Sequence, residues 1–112
     1  MTDPYQRIPE LMKEVEREMR VLGLWSSRSP KPQALASTMP FCYDTLELSE
    51  WLQWIFLPRL RQLLDQDLPL PAKSGIAPLV EIWIKERGLE QGTGQLLRII
   101  QEFDEVFSSA ND

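Results

Sequence analysis

The 112-residue chain has no histidine. That removes the commonest general base near neutral pH and the commonest metal ligand. A single cysteine, Cys42, rules out an intramolecular disulfide and leaves no Cys/His zinc pattern. Of the five glycines, Gly88, Gly92 and Gly94 fall between predicted helices, so they do not form a phosphate-cradling loop. No apolar run approaches the ~20 residues needed to cross a bilayer. The first seven residues, Met1 to Arg7, are polar and lack the apolar core of a signal peptide. A cytoplasmic protein is the expectation, in a reducing compartment and with no membrane partner. With no Ser-His-Asp or Cys-His set, chemistry would fall to carboxylates, arginine or tyrosine. We therefore expect a protein that is not an enzyme and uses no metal and no cofactor.

Basic residues are also in deficit. Twelve Lys and Arg stand against seventeen Asp and Glu, a net charge of −5. An acidic surface repels a phosphate backbone, so direct nucleic-acid binding is not expected. What is present is apolar material: 43% of the chain, ordinary for a globular protein and too much for a disordered one. The length suits a single domain, residues 1–112, that can bury a core without a staple.

The apolar residues follow helical spacing. Ile8, Leu11, Met12, Val15, Met19 and Leu22 form one narrow stripe, predicting a helix over roughly 4–22. Thr2 or Asp3 would cap it, Pro4 would lie in its first turn, and Gly23 would stop it. Residues 24–44 hold Pro30, Pro32 and Pro40 among serines and read as a long loop, with one helical turn at Pro32. Leu24, Trp25, Phe41 and Tyr43 should pack against the body, because leaving them in water is costly. A second long helix should run from a cap at Asp44 or Thr45 to about Asp67. Its first half is apolar nearly all round, which marks a central, buried helix. Pro58 lies inside it and should kink it. A turn over 69–75 precedes a third long helix, with Pro78 at its first position and Gly88 at its end. Thr93 should cap the last, striped by Leu96, Ile99, Ile100, Phe103 and Phe107, with a frayed tail over 108–112. No window alternates like a strand. The expected fold is an all-α, antiparallel four-helix bundle with a long proline-rich loop between the first two long helices.

One stretch carries a resemblance. Ser37-Thr38-Met39-Pro40-Phe41, Asp44-Thr45, Glu50-Trp51-Leu52-Gln53-Trp54, Pro58-Arg59, Leu63-Leu64-Asp65 and Pro69-Leu70-Pro71 resemble the YqcC-like family of small bacterial proteins of unknown function. Ala77-Pro78 and Glu81 extend the match, which is close over about half the chain. The resemblance implies a helical bundle and supplies no activity. Members often sit beside a gene for a tRNA pseudouridine synthase, which implies an accessory role in tRNA modification.

Four residues stand out as candidate binding residues. On a straight wheel Arg59 lies between Leu52, Ile55, Phe56 and Leu63, in the middle of the apolar side. A buried guanidinium needs a partner, so it either pairs with Asp44 or another loop acid, snorkels to solvent, or holds an anionic ligand. Trp54 lies on the same wheel among Glu47, Glu50, Arg61 and Asp65. Either the proline-rich loop covers it or it anchors a partner, with Trp51 beside it. Asp44 reads chiefly as a cap. Cys42 reads as a small packed hydrophobe, and Glu81 with Lys85 as a surface pair. The functional expectation is a protein-binding or adaptor module, a homodimer being one version. The alternatives are an accessory factor for a tRNA pseudouridine synthase, or a binder of a small anionic ligand in the bundle core.

Overall fold

The stripe from Ile8 to Met19 forms helix α1, Pro4–Val21, and all five of its apolar residues are buried. The structure, a computed structural model, describes residues 4–70 and 75–110. The expected caps at Thr2 and Asp3, the turn over 71–74 and the last two residues lie outside that range. Gly23 ends α1 in the left-handed conformation, with φ 73°. This lets the Gly23 and Leu24 N–H groups donate back to the carbonyls of Arg20 and Met19, at 3.2 and 2.8 Å.

The next segment makes the expected single turn, α2, at Pro32–Leu35, and then a 3-10 turn at Pro40–Cys42. It is tied down by a residue that the periodicity did not single out. Gln53 is buried; its Oε1 accepts from the Ser26 N–H at 2.8 Å and its Nε2 donates to the Ser26 carbonyl at 2.7 Å. Leu24, Trp25 and Phe41 pack against the core as expected. Tyr43 does not: it is 66% exposed, because its phenol end tolerates water and the 3-10 turn points it outward.

The middle helix is α3, Leu48–Trp51, a π turn over Leu52–Phe56, and α4, Leu57–Asp65. Its cap is Glu47, not Asp44 or Thr45, and the Glu47 N–H donates to Glu50 Oε1 at 2.9 Å. The two expected caps are used elsewhere: Thr45 Oγ1 donates to the Ala34 carbonyl at 2.7 Å. The helix ends two residues earlier than expected, and Asp67 takes the left-handed stop position with φ 54°. Pro58 makes itself felt as the π turn. The Leu57 N–H reaches back five residues to Leu52, and the proline that follows has no N–H to place.

Helix α5 is Ile76–Glu86, so Pro78 is its third residue, still within the turn whose N–H groups lack helical partners. Two of those groups are served from another helix. Asp104 accepts from Ile76 and Ala77 at 3.1 and 2.8 Å. Gly88, with φ 66°, closes α5 as Gly23 closes α1. Helix α6, Gly94–Ala110, follows Thr93 and buries its whole predicted stripe. Glu81 and Lys85 pair at 3.4 Å.

The fold is all-α, and the described residues contain no strand. Helices α1 and α6 run closest together, and α5 lies along α6. Arg7 clamps the first pair. It bonds Glu102 on α6 through two nitrogens and also reaches Glu10 and Glu14 on its own helix, at 2.8 and 3.2 Å. Those bonds raise the Arg7 guanidinium's pKa and hold the Glu102 carboxyl below its usual range. The middle helix is therefore not the most deeply buried element. It reaches α6 through Phe56, edge-on to Phe103 at 5.3 Å, and leaves part of its apolar surface for the loop to cover.

Candidate functional site

The π turn adds one residue to the middle helix, which rotates everything after it by about 100° relative to a straight wheel. Leu57 and Leu60 consequently point into the core, and Arg59 is exposed. Among the described residues Arg59 has no ion-pair partner, so the expected pairing with Asp44 is not found. Asp44 instead accepts from Ser37 Oγ at 2.6 Å.

The helix faces the loop across a groove of about 440 Å³ whose exposed lining is mainly polar. Trp51, Trp54, Ile55, Pro58 and Arg59 line it from the helix, and Leu35, Ser37, Met39 and Phe41 from the loop. Trp51 is fixed by two rings: Phe41 edge-on at 4.8 Å and Phe56 stacked at 5.4 Å. Trp54 is half-buried, so the loop covers it only in part. Its indole N–H is shielded from solvent yet finds no acceptor among the described residues. An unmet buried donor costs about 1–3 kcal/mol.

Three of the four residues singled out by sequence therefore share one groove. The fourth, Asp44, lies outside it and holds Ser37, which lines it. Phe41 and Cys42 carry φ values of 57° and 50°. Such left-handed non-glycine residues cost about 1 kcal/mol or more each and persist only where packing enforces them. Here the Phe41 ring sits against Trp51, and Cys42 is buried, as a packed hydrophobe should be.

A second groove of about 500 Å³, also lined by Phe41, opens between the 3-10 turn and α5. It is mainly apolar, with Tyr43 and Ile82 on its rim, the latter 54% exposed. Its polar end is Glu47, which accepts from Trp83 Nε1 at 2.8 Å and from Arg87 at 2.7 to 3.0 Å. The Trp83 bond, then the Arg87 bonds, hold the Glu47 carboxyl below its ordinary range. Sequence reading missed this triad. Trp83 and Arg87 are four residues apart, but they stand 36 and 40 residues from Glu47, and no local spacing brings Glu47 to them. Among the described residues no cluster of potential ligands is positioned to hold a metal ion.

A family model called DUF446, whose description reads tRNA pseudouridine synthase C, matches residues 7–106. The chain belongs to this family. A DUF446 relative, the uncharacterised protein YqcC of Escherichia coli strain K12, is 37% identical over 78 residues, covering 70% of this chain and 72% of that one. An uncharacterised protein of Haemophilus influenzae is 39% identical over 75 residues, 67% of this chain and 71% of its own. The solution NMR structure of the Escherichia coli protein superposes with a TM-score of 0.83 at 29% identity, covering 97% of this chain and 92% of that one. That likeness confirms both the helical fold and the resemblance carried by residues 37–71. A 65-residue stretch, 58% of this chain, is 42% identical to part of a Pectobacterium carotovorum protein named tRNA pseudouridine synthase C, of which it covers 17%.

Proposed function

We propose that the protein is a non-catalytic protein-binding module that works through the middle helix and the loop bordering it. The observation that carries this reading is the groove over Trp51 and Trp54. Two half-buried indoles and an exposed guanidinium stay accessible there after the chain's own loop has packed. Trp and Arg are the side chains most enriched in binding hot spots. The lack of histidine supports the reading, as does the missing acceptor at Trp54, which a partner's carbonyl or carboxylate would supply once the loop yields. An anionic ligand in the bundle core loses its support, because Arg59 lies at the surface. The test is gentle affinity capture of the tagged chain, compared with Trp54→Ala. A stoichiometric partner that the variant loses is the expected result. An inert monomer with no specific partner would overturn the proposal.

A second, compatible reading makes that partner a tRNA-modifying enzyme, with this chain as its accessory factor. It is favoured by the Pectobacterium match, in which a similar segment occupies a small part of a protein named tRNA pseudouridine synthase C. Joining two modules in one chain replaces an association that separate chains must make by affinity. Deleting the gene should lower pseudouridine in tRNA; unchanged levels would count against this reading.

A further inference from the structure

The chain's charge is unevenly distributed between its segments. Residues 24–43 carry Arg28 and Lys31 and no acid; residues 51–64 carry Arg59 and Arg61 and no acid. Everything else holds the remaining eight basic residues against all seventeen acids. These two segments also pack on each other. Ser26 is bound at both its N–H and its carbonyl by Gln53, and Phe41 sits edge-on to Trp51. All four basic side chains are exposed, and none has an ion-pair partner among the described residues.

The face has shape as well as charge. Pro58 forms a ridge with the Trp54 groove on one side. On the other side is a groove of about 330 Å³ that brings Lys13, Trp25 and Arg61 together, with Glu16 also on its lining. Three of the chain's four tryptophans therefore border the basic face. The neighbouring acids are mostly engaged. Glu16 pairs with Arg20 at 3.0 Å, Asp44 accepts from Ser37, and Glu50 accepts the Glu47 N–H. Asp65, four residues beyond Arg61, makes no ion pair with it.

We infer that this face receives a short acidic segment of a partner protein, one that lays an apolar side chain in the Trp25 groove and carboxylates beside Arg28, Lys31, Arg59 and Arg61. The inference rests on the binding-module reading and adds the chemistry of the partner. Length decides between a peptide and a nucleic acid. The protein measures 37 × 32 × 23 Å, and charge is screened over about 8 Å at physiological salt. A short segment senses mainly the basic face. A longer polyanion runs off it onto the rest of the surface, where acids outnumber bases, and is repelled there. A second copy offering its acidic side would self-associate, either as a two-fold pair or head to tail.

A phage-displayed library of random dodecapeptides, selected on the full chain, tests this. The selected peptides should be rich in Asp and Glu around one or two large apolar residues. They should bind about tenfold more weakly to Arg59→Glu/Arg61→Glu, as expected when two exposed charges are reversed, and more weakly in high salt. Both arginines are exposed, so the variant keeps the wild-type helical circular dichroism. Arg28→Glu/Lys31→Glu, on the loop, should weaken the same peptides. Neutral or basic peptides, or equal binding to the variants, would overturn the charge assignment and leave the binding-module reading standing. Failure to select any peptide would count against both. Preference for a twelve-nucleotide single-stranded RNA, or salt-sensitive self-association in sedimentation, would replace the acidic segment with a nucleic acid or a second copy.

Discussion

Replacing Gln53 by alanine should release the loop from the middle helix. Gln53 is 6% exposed, and its amide makes two bonds to the Ser26 backbone, at 2.8 and 2.7 Å. Each such bond contributes about 1 kcal/mol net. Ser26 is only half-buried, so its freed groups regain water and the loss stays near ~2 kcal/mol rather than double that. Lost packing of the side-chain methylene adds about 0.8 kcal/mol. The expected destabilisation is about 2–3 kcal/mol, or roughly 10 °C or more in Tm for a domain of this size. Urea unfolding followed by circular dichroism measures the first quantity. Native tryptophan emission adds a local report, because Trp25 is next to Ser26 and its ring, under Arg20 at 5.2 Å, should move toward water. Gln53→Glu keeps an acceptor for the Ser26 N–H but sets a carboxylate oxygen against the Ser26 carbonyl, and so should cost at least as much at neutral pH. A Gln53→Ala protein within about 0.5 kcal/mol of wild type, with unchanged emission, would show that the loop is held by packing alone.

Asp104→Ala removes the acceptor for the first two N–H groups of α5 and should cost about 1–2 kcal/mol by thermal or urea unfolding. Arg59→Ala should leave stability within about 0.5 kcal/mol of wild type, since the side chain is exposed and unpaired among the described residues; a larger loss would revive a structural role. Asp67→Gly should be neutral or stabilising, by up to about 1 kcal/mol, because glycine takes the left-handed stop without strain; destabilisation would show that the aspartate does more than end the helix. Glu47 is held below its ordinary value of 4.5 by Trp83 and Arg87, and Glu102 is lowered by Arg7. A lowered folded value means that the contribution is complete at neutral pH and lost as pH falls through it. Stability should thus decline below about pH 4.5, and Glu47→Gln should flatten that decline in acid-unfolding curves.

How much was readable in advance follows from how far each interaction reaches along the chain. The stripes of α1 and α6 repeat every three or four residues, so a local pattern reports them, and each buries as predicted. Gly23 and Gly88 mark helix ends for the same local reason. Pro58 is local as well, yet a missing N–H permits either a bend or an extra residue per turn, and only the packing of Leu57 and Leu60 selects the second. That choice moves Arg59 from the supposed core to the surface. The groove gathers Trp51, Trp54 and Arg59, although a straight wheel sets Trp54 and Arg59 on different sides of the helix; the reasoning that put Arg59 among apolar neighbours does not survive the rotation. Asp104 capping α5, and Glu47 joining Trp83 and Arg87, bridge more than twenty-five residues of sequence and leave no short-range trace.

Phe41 lines both the Trp54 groove and the Glu47–Trp83 groove. A single residue on a strained turn therefore borders two grooves, and displacing it reshapes both. If an occupant of one groove shifts Phe41, it changes the affinity of the other. Thermodynamic linkage then requires the second occupant to act on the first by the same factor.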